Sequence, residues 1–364
     1  MLTTKDFNYH LPPELIAQSP APKRDHSRLL VVDRRDGSLS HHIFFELPEL
    51  LDSDTVLVRN NSKVIKARLF GHKPTGSVVE ILLNKKISSS VETETWDCLT
   101  KPGIKPGTLL SFPNSELQAE CTGYGAEDDY TRTLIFNRSS VQLLKILDQI
   151  GHTPLPPYIN ADDTSAEVAI RYQTTYAHTP GSVAAPTAGL HITPEVELAL
   201  RTKGIEFHDL TLHVGLGTFL PVKTAAITEH HMHAEWFEMD EQTAAALTTS
   251  KAAGKKILAV GTTSVRTLET IAAQSTSDQL FTAQSGDTSI FIYPPYKFQA
   301  VDQMITNFHL SESTLLTLVG AFISYPQTDE SFKTFSSSLL GKAYQKAIAH
   351  KYRFYSFGDA MIIV

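Results

Sequence analysis

Six short segments whose apolar residues fall at alternate positions crowd into the stretch from Ser62 to Asp148: ARLFGHK, SVVEILLNKK, TETWDCLTK, GTLLSF, LQAECTGYG and TRTLIFN. They are parted by HKPTG, KPGIKPG, FPNS and GAEDD, whose Gly, Pro, Asn and Asp residues suit tight turns. Strands this short at near-regular spacing predict a small all-β barrel of about six strands. A helix, VQLLKILDQIG, follows, with Gly151 as its stop. On either side of the block the pattern changes. FFELPELLDSDTVLVRN predicts a short helix and a strand over Thr55–Val58. Beyond Gly151 helices and strands alternate: EVELALRTKG, IEFHDLTLHV, DEQTAAALTTSKAAG, KKILAV, TSVRTLETIAAQ, TSIFIY, STLLTLVGAFIS and finally YRFYSFGDAMIIV. A chain of 364 residues has room for two domains. The expected fold class is therefore α/β. A barrel-like α/β domain is made from both chain ends, residues 1–60 and 151–364, and a small all-β barrel, residues 61–150, is inserted into it.

Cysteine and charge narrow the function classes. Cys98 and Cys121 are the only cysteines, too few for a Cys-based zinc site, and free thiols suit a reducing cytosol. The N-terminal MLTTKDFNYHLPPELIAQSP lacks the apolar core of a signal peptide, and no run of 18 apolar residues occurs, so a cytoplasmic protein with no membrane span is expected. The net charge of −7 excludes a generic polyanion binder. Residues 60–150 hold 11 Lys and Arg against 10 Asp and Glu, so contact with nucleic acid would depend on local patches.

Several stretches carry residue types that chemistry uses. GSVAAPTAGLHIT, Gly181 to Thr193, has no charge and one titratable side chain, His191. Two readings stand: a loop that wraps a ligand with its backbone, or a tight crossing of loop and core. LHVGLGTFLPV delivers His213 and then Gly215, Gly217 and Thr218, where backbone amides can face an anion or nucleoside; a bulge or barrel corner is the alternative. EHHMHAE gathers His230, His231, His233 and Glu235. As a strand it would put His231, His233 and Glu235 on one face, for acid–base work or, with less support, a metal. ILAVGTTSVRTLET is a strand, a turn and a helix, with Gly261, Thr262, Thr263 and Ser264 at the free amides and Arg266 nearby. Anion binding and plain capping both fit. Asn307 and His309 precede a helix, and Asp359 sits at a Gly-Asp corner that suits an end cap. Asn61, Lys63, Lys66 and Arg68 stand at the start of the inserted block, where they fit either an RNA backbone or a solvated face.

Together these stretches resemble one family. FNYHLPPELIAQSPAPKRDHSRLL, NNSKVIKARLFG, YAHTPGSVAAPTAGLHIT, LHVGLGTFLPV, MHAE, VGTTSVRTLE, FIYPPYKF, TNFHLSESTLL and YRFYSFGDAMIIV occur in order over the whole chain. They are similar to the S-adenosylmethionine:tRNA ribosyltransferase-isomerases of queuosine biosynthesis. The resemblance implies transfer and isomerisation of the ribosyl group of S-adenosylmethionine onto 7-aminomethyl-7-deazaguanine at the tRNA wobble position. Epoxyqueuosine-tRNA, adenine and methionine are the products. It implies S-adenosylmethionine as co-substrate, no metal and no second cofactor; a monomer is expected. The sulfonium acidifies the adjacent ribose carbon, so a base must remove a proton, and adenine leaves more easily with an acid at hand. On this footing His213, His233 and Glu235 are expected to move protons. Thr187, Gly189, His191, Gly215, Gly217 and Thr218 are expected around the donor, Thr262 and Arg266 at its methionine carboxylate, and Asn61, Lys63, Arg68 and Arg171 on tRNA.

The chain departs from the family pattern in three places. Tyr293-Pro294-Pro295-Tyr296 replaces YPGY, His309-Leu310-Ser311-Glu312 replaces His-Leu-Pro-Lys, and Lys66 stands for a proline. Two rival readings remain: a nucleotide- or RNA-binding module without catalysis, and a metal-dependent hydrolase built on the cluster from His230 to Glu235.

Overall fold

The computed structural model describes residues 2–125, 130–215, 217, 222–275, 279–324 and 332–364. The chain first lays down β1 (Arg28–Val32), β2 (Leu39–Ile43) and β3 (Thr55–Asn60), and the short β4 (Ser62–Val64) leads out of this region. The next six strands are β5 (Arg68–His72), β6 (Val78–Ser89), β7 (Glu94–Lys101), β8 (Leu109–Ser111), β9 (Gln118–Tyr124) and β10 (Thr131–Phe136). They close an all-antiparallel barrel in the order β10-β7-β6-β5-β8-β9. Inward residues such as Leu69, Ile81, Leu83, Cys98, Cys121 and Leu134 fill it, and Leu143 and Leu147 of the helix Ser140–Ile150 extend the same core. Both cysteines are free, buried thiols.

The second half supplies β11 (Thr179–Ser182), β12 (Glu206–Leu212), β13 (Glu235–Met239), β14 (Lys256–Val260), β15 (Gln284–Thr288), β16 (Gln303–Asn307) and β17 (Ala360–Ile363). With the first three strands, all but β11 form a nine-stranded mixed sheet in the order β15-β13-β12-β3-β14-β16-β17-β1-β2. Both chain ends thus build one sheet, as the alternation of elements predicts. Its central parallel strands are covered on both faces, which is why they are apolar throughout. Val56 and Val58 of β3 point into one core cluster and Leu57 into the other; Ile257 and Ala259 of β14 oppose Leu258 in the same way. The helix Thr262–Gln274, buried from Thr262 to Ala272, packs along this sheet.

Two expected elements differ. TSIFIY does not form a strand: β15 is the polar QSGDT before it, and the chain leaves the sheet at Thr288, whose hydroxyl accepts the Ile290 N–H. Ile292 and its apolar neighbours pack onto the core as a loop instead. EHHMHAE is not a strand either until Glu235, because residues 230–234 have no ladder partner. The alternation that would have put His231 beside His233 and Glu235 is therefore absent.

Candidate active site

A cavity of about 730 Å³ opens between the barrel and the residues around the nine-stranded sheet. The barrel side is Asn84, Lys85, Lys86 and Ile87 of β6 with Glu94, Trp96 and Asp97 of β7. Ser140 and Leu143 lie on the adjoining helix, and Pro180, Gly181, His213, Gly215, Gly217, His230, His233, Glu235, Trp236 and Asp287 on the other side.

The two glycine-rich stretches meet here because their backbones are zipped together. The Val183 N–H donates to the Val214 carbonyl, and the Val214 N–H donates to Ser182 Oγ at 2.9 Å. That brings Gly181 against the His213 ring: a Cβ on Gly181, whose φ is +147°, would lie 2.6 Å from His213 Nε2. The imidazole also stacks on Trp236, with centroids 5.0 Å apart. Burial, with Lys86 adding to it, lowers the His213 pKa to about 4, so the ring is neutral at pH 7. Among the described residues its Nδ1 has no hydrogen-bond partner, nor have Trp96 Nε1 and Asp97 Oδ1 in the same wall. Partnerless buried polar atoms are costly and mark where a ligand's polar groups belong.

Glu235 is only 5% exposed, and both its oxygens are engaged. One accepts the Gly215 N–H at 2.8 Å and the other pairs with the buried Arg266, which also reaches the carbonyls of Thr288 and Ile290. Arg266 is thus occupied with holding Glu235, and Glu235 with holding the Gly215 loop. His233 rests on Gly217, where a Cβ would come within 2.7 Å of its ring. His230 stands edge-on to Phe291, and burial first, then His233 and His231, lower its pKa.

The barrel wall carries charge. Lys85 pairs with Asp287 at 3.2 Å and Lys86 with the buried Glu94 at 2.9 Å, which also accepts from Ser140. Asn84 donates to Asp97 Oδ2 at 3.1 Å and turns its own oxygen toward Gly215. Sequence reading missed this wall. Its signal is the polar triplet at the end of VVEILLNKK, which coincides with shifts in the β6–β7 register at Leu83/Lys85 and Lys86/Ser88.

The structure separates other expected residues from this cavity. His191 lies in a buried network of its own. Its Nδ1 meets Ser27 Oγ at 2.7 Å, Asn307 Nδ2 donates to its Nε2, and Asn307 Oδ1 accepts from Thr187. Because an amide NH₂ only donates, Nε2 is the acceptor and the proton sits on Nδ1. Gly189 is required by packing, since a Cβ there would fall 1.9 Å from the Tyr176 hydroxyl. Thr262 is buried at the helix start, outside the cavity wall. Thr218 lies outside the described residues. Among the residues expected on tRNA, Asn61 accepts from Thr211 and Arg68 pairs with Asp163 and Glu80. Arg171 donates to the carbonyls of Ala21 and Pro22, while Lys63 is exposed on β4. Among the described residues no group of three or more His, Cys, Asp or Glu is placed to hold a metal, and no helix is long and apolar enough to cross a membrane.

The chain is similar to known proteins over its whole length. A family model described as "Queuosine biosynthesis protein" matches residues 4–363. The chain is 46% identical over 362 residues to an S-adenosylmethionine:tRNA ribosyltransferase-isomerase from Natranaerobius thermophilus, covering 99% of this chain and 98% of that protein. It is 44% identical over 365 residues to the protein of the same name from Thermotoga maritima, covering 100% of both. A crystal structure of S-adenosylmethionine tRNA ribosyltransferase from Thermotoga maritima matches with a TM-score of 0.53 and 36% identity, over 99% of this chain and 100% of that one.

Proposed function

The chain belongs to the queuosine biosynthesis protein family, and we propose that the interdomain cavity is where its ribosyl transfer takes place. It is an enzyme, an S-adenosylmethionine:tRNA ribosyltransferase-isomerase of queuosine synthesis. The acceptor is 7-aminomethyl-7-deazaguanine at the wobble position, and epoxyqueuosine-tRNA, adenine and methionine are the products. One observation supports this placement above the rest: the neutral His213 ring, held against Gly181 and Trp236, lines a cavity of about 730 Å³ with an Nδ1 unpartnered among the described residues. That volume lies in the range of sites for small-molecule ligands.

Within it, His213 is the group to take the ribose proton made acidic by the sulfonium, because its lowered pKa of about 4 keeps it unprotonated at neutral pH. His233, on Gly217, is placed to assist departure of adenine. The Gly215 amide, anchored by Glu235 and Arg266, holds the loop under the donor. This changes what Glu235 and Arg266 are for: the pair supports the wall, in place of a proton transfer and a grip on the methionine carboxylate. The reading needs no metal and no further cofactor. A monomer in the cytoplasm suffices for it, since one chain supplies the whole wall described. Exposed Lys63 is offered to tRNA phosphate.

The test is adenine and methionine release by His213→Ala with saturating S-adenosylmethionine and substrate tRNA. Turnover should fall by about 100-fold or more, as for loss of a general base, with donor affinity changed only a few fold. Near-wild-type turnover would remove His213 from the chemistry.

A further inference from the structure

The charged groups of the cavity wall balance with one exception. Lys85 pairs with Asp287, Lys86 with Glu94, and Arg266 with Glu235. Asp97 has no Lys, Arg or His partner among the described residues. Its Oδ2 accepts from Asn84, and its Oδ1 is shielded from solvent with no donor among the described residues. A Cβ on Gly125 would come 2.6 Å from that Oδ1, so the barrel backbone closes over this side of the carboxylate. An unpaired carboxylate so shielded is expensive unless a cation completes it. Asn84 links it to the reacting side of the cavity, since Asn84 Oδ1 would lie 3.4 Å from a Cβ on Gly215.

We propose that Asp97 is a donor-binding residue of the inserted barrel that receives the α-ammonium of the methionyl part of S-adenosylmethionine. This rests on the reading of the cavity as the donor site. An ammonium is the fitting cation because it brings a full charge and can donate to Oδ2, the oxygen turned to Asn84 on the cavity wall; a sulfonium has no proton to give. The barrel thus holds the amino-acid end while the α/β domain, with His213 and Gly215, faces the ribose. The same carboxylate would hold product methionine until it leaves.

Three ligands separate the possibilities: S-adenosylmethionine, S-adenosylhomocysteine, which keeps the ammonium and lacks the sulfonium, and methylthioadenosine, which lacks both. Affinities are measured by calorimetry for wild type, for the isosteric Asp97→Asn, and for Asp97→Ser, which is smaller and cannot clash. Both variants should bind the first two ligands about tenfold or more weakly, as expected for a charged hydrogen bond lost from a shielded site, and methylthioadenosine as wild type does. KM for S-adenosylmethionine should rise more than kcat falls. Unchanged affinity for all three ligands overturns the proposal, and so does an equal loss for all three. Loss for S-adenosylmethionine alone overturns it too, by assigning Asp97 to the sulfonium. Failure of the wild-type protein to bind S-adenosylmethionine would instead overturn the donor-site reading beneath it.

Discussion

His191, His213 and His309 are imidazoles that the fold keeps neutral, and each couples stability to pH. Burial lowers His191 and His213 to about 4 and His309 to about 3. The unfolded value lies near 6.5, so below it the unfolded chain binds protons that the folded chain refuses. The stabilisation is fully present above pH 6.5 and is lost as pH falls toward 4. For His191 the loss at pH 5 is roughly 2 kcal/mol relative to pH 7.5. His191→Gln should therefore be less stable than wild type at pH 7.5 in urea, through the loss of its contacts to Ser27 and Asn307, yet should show a shallower decline toward pH 5. Parallel declines in both proteins would rule out a buried neutral His191. The same residues show what sequence could convey at this scale. The uncharged run from Gly181 to Thr193 marks close approach throughout, but to two different things: Gly181 meets His213 in the cavity, whereas Gly189 meets Tyr176 in the core. Composition announces the closeness and is silent about the neighbour. Glu312 is similar. Its sequence suggests a lost cation; in the fold it adopts φ +60° and accepts from Asn8, tying down the N-terminal segment.

The barrel strands were legible as elements because alternation is a local property of the chain; five of the six fall within the predicted segments, and β6 runs three residues past its own, to Ser89. The bulges in β6 were not, since a register shift exists only relative to the partner strand, here β7. They put Asn84, Lys85 and Lys86 at the cavity, so the missed wall and the missed bulges are one omission. Gly151 shows the same limit. It does end the helix Ser140–Ile150, but with φ −84°, a conformation open to any residue. Glycine is needed because the chain entering the barrel crosses there: a Cβ would meet the Lys66 carbonyl at 2.3 Å and the Leu147 carbonyl at 2.6 Å. Gly151→Ala should therefore destabilise by about 2 kcal/mol through overpacking against backbone that cannot move aside. Gly204→Ala, at φ +91° with nothing within 4 Å, should cost about 1 kcal/mol from backbone strain alone. Thermal unfolding of both variants checks the order; equal costs would mean that helix and crossing chain are not packed this closely.

At the scale of the molecule, the cavity takes its wall from both the barrel and the residues around the nine-stranded sheet, which is why its barrel half stayed hidden in the sequence: residues 84–97 meet residues 213–236 only through folding. If residues 61–150 are a unit inserted into one built from both chain ends, a separate prediction follows. Every buried residue of the barrel core except Val183 lies between Ile65 and Leu147. The barrel closes on itself, leaving no sheet edge that needs the other domain, and about ninety residues are enough for an independent core. What isolation removes lies at the margin of this core: the pairing of β4 with β11, the bonds of Val64 to Gln173, the contacts of Arg68 with His152 and Asp163, the Lys85–Asp287 pair and the cover given by Val183. The fragment 61–150 should therefore unfold cooperatively in urea at lower stability than in the intact chain. Trp96, its only tryptophan and buried in that core, reports the transition. The fragment should not bind S-adenosylmethionine, because His213, Gly215 and Glu235 are missing from it. A gradual, non-cooperative change in Trp96 emission would show that the barrel depends on the α/β domain to fold, and the chain would then have to be treated as a single unit with a cleft.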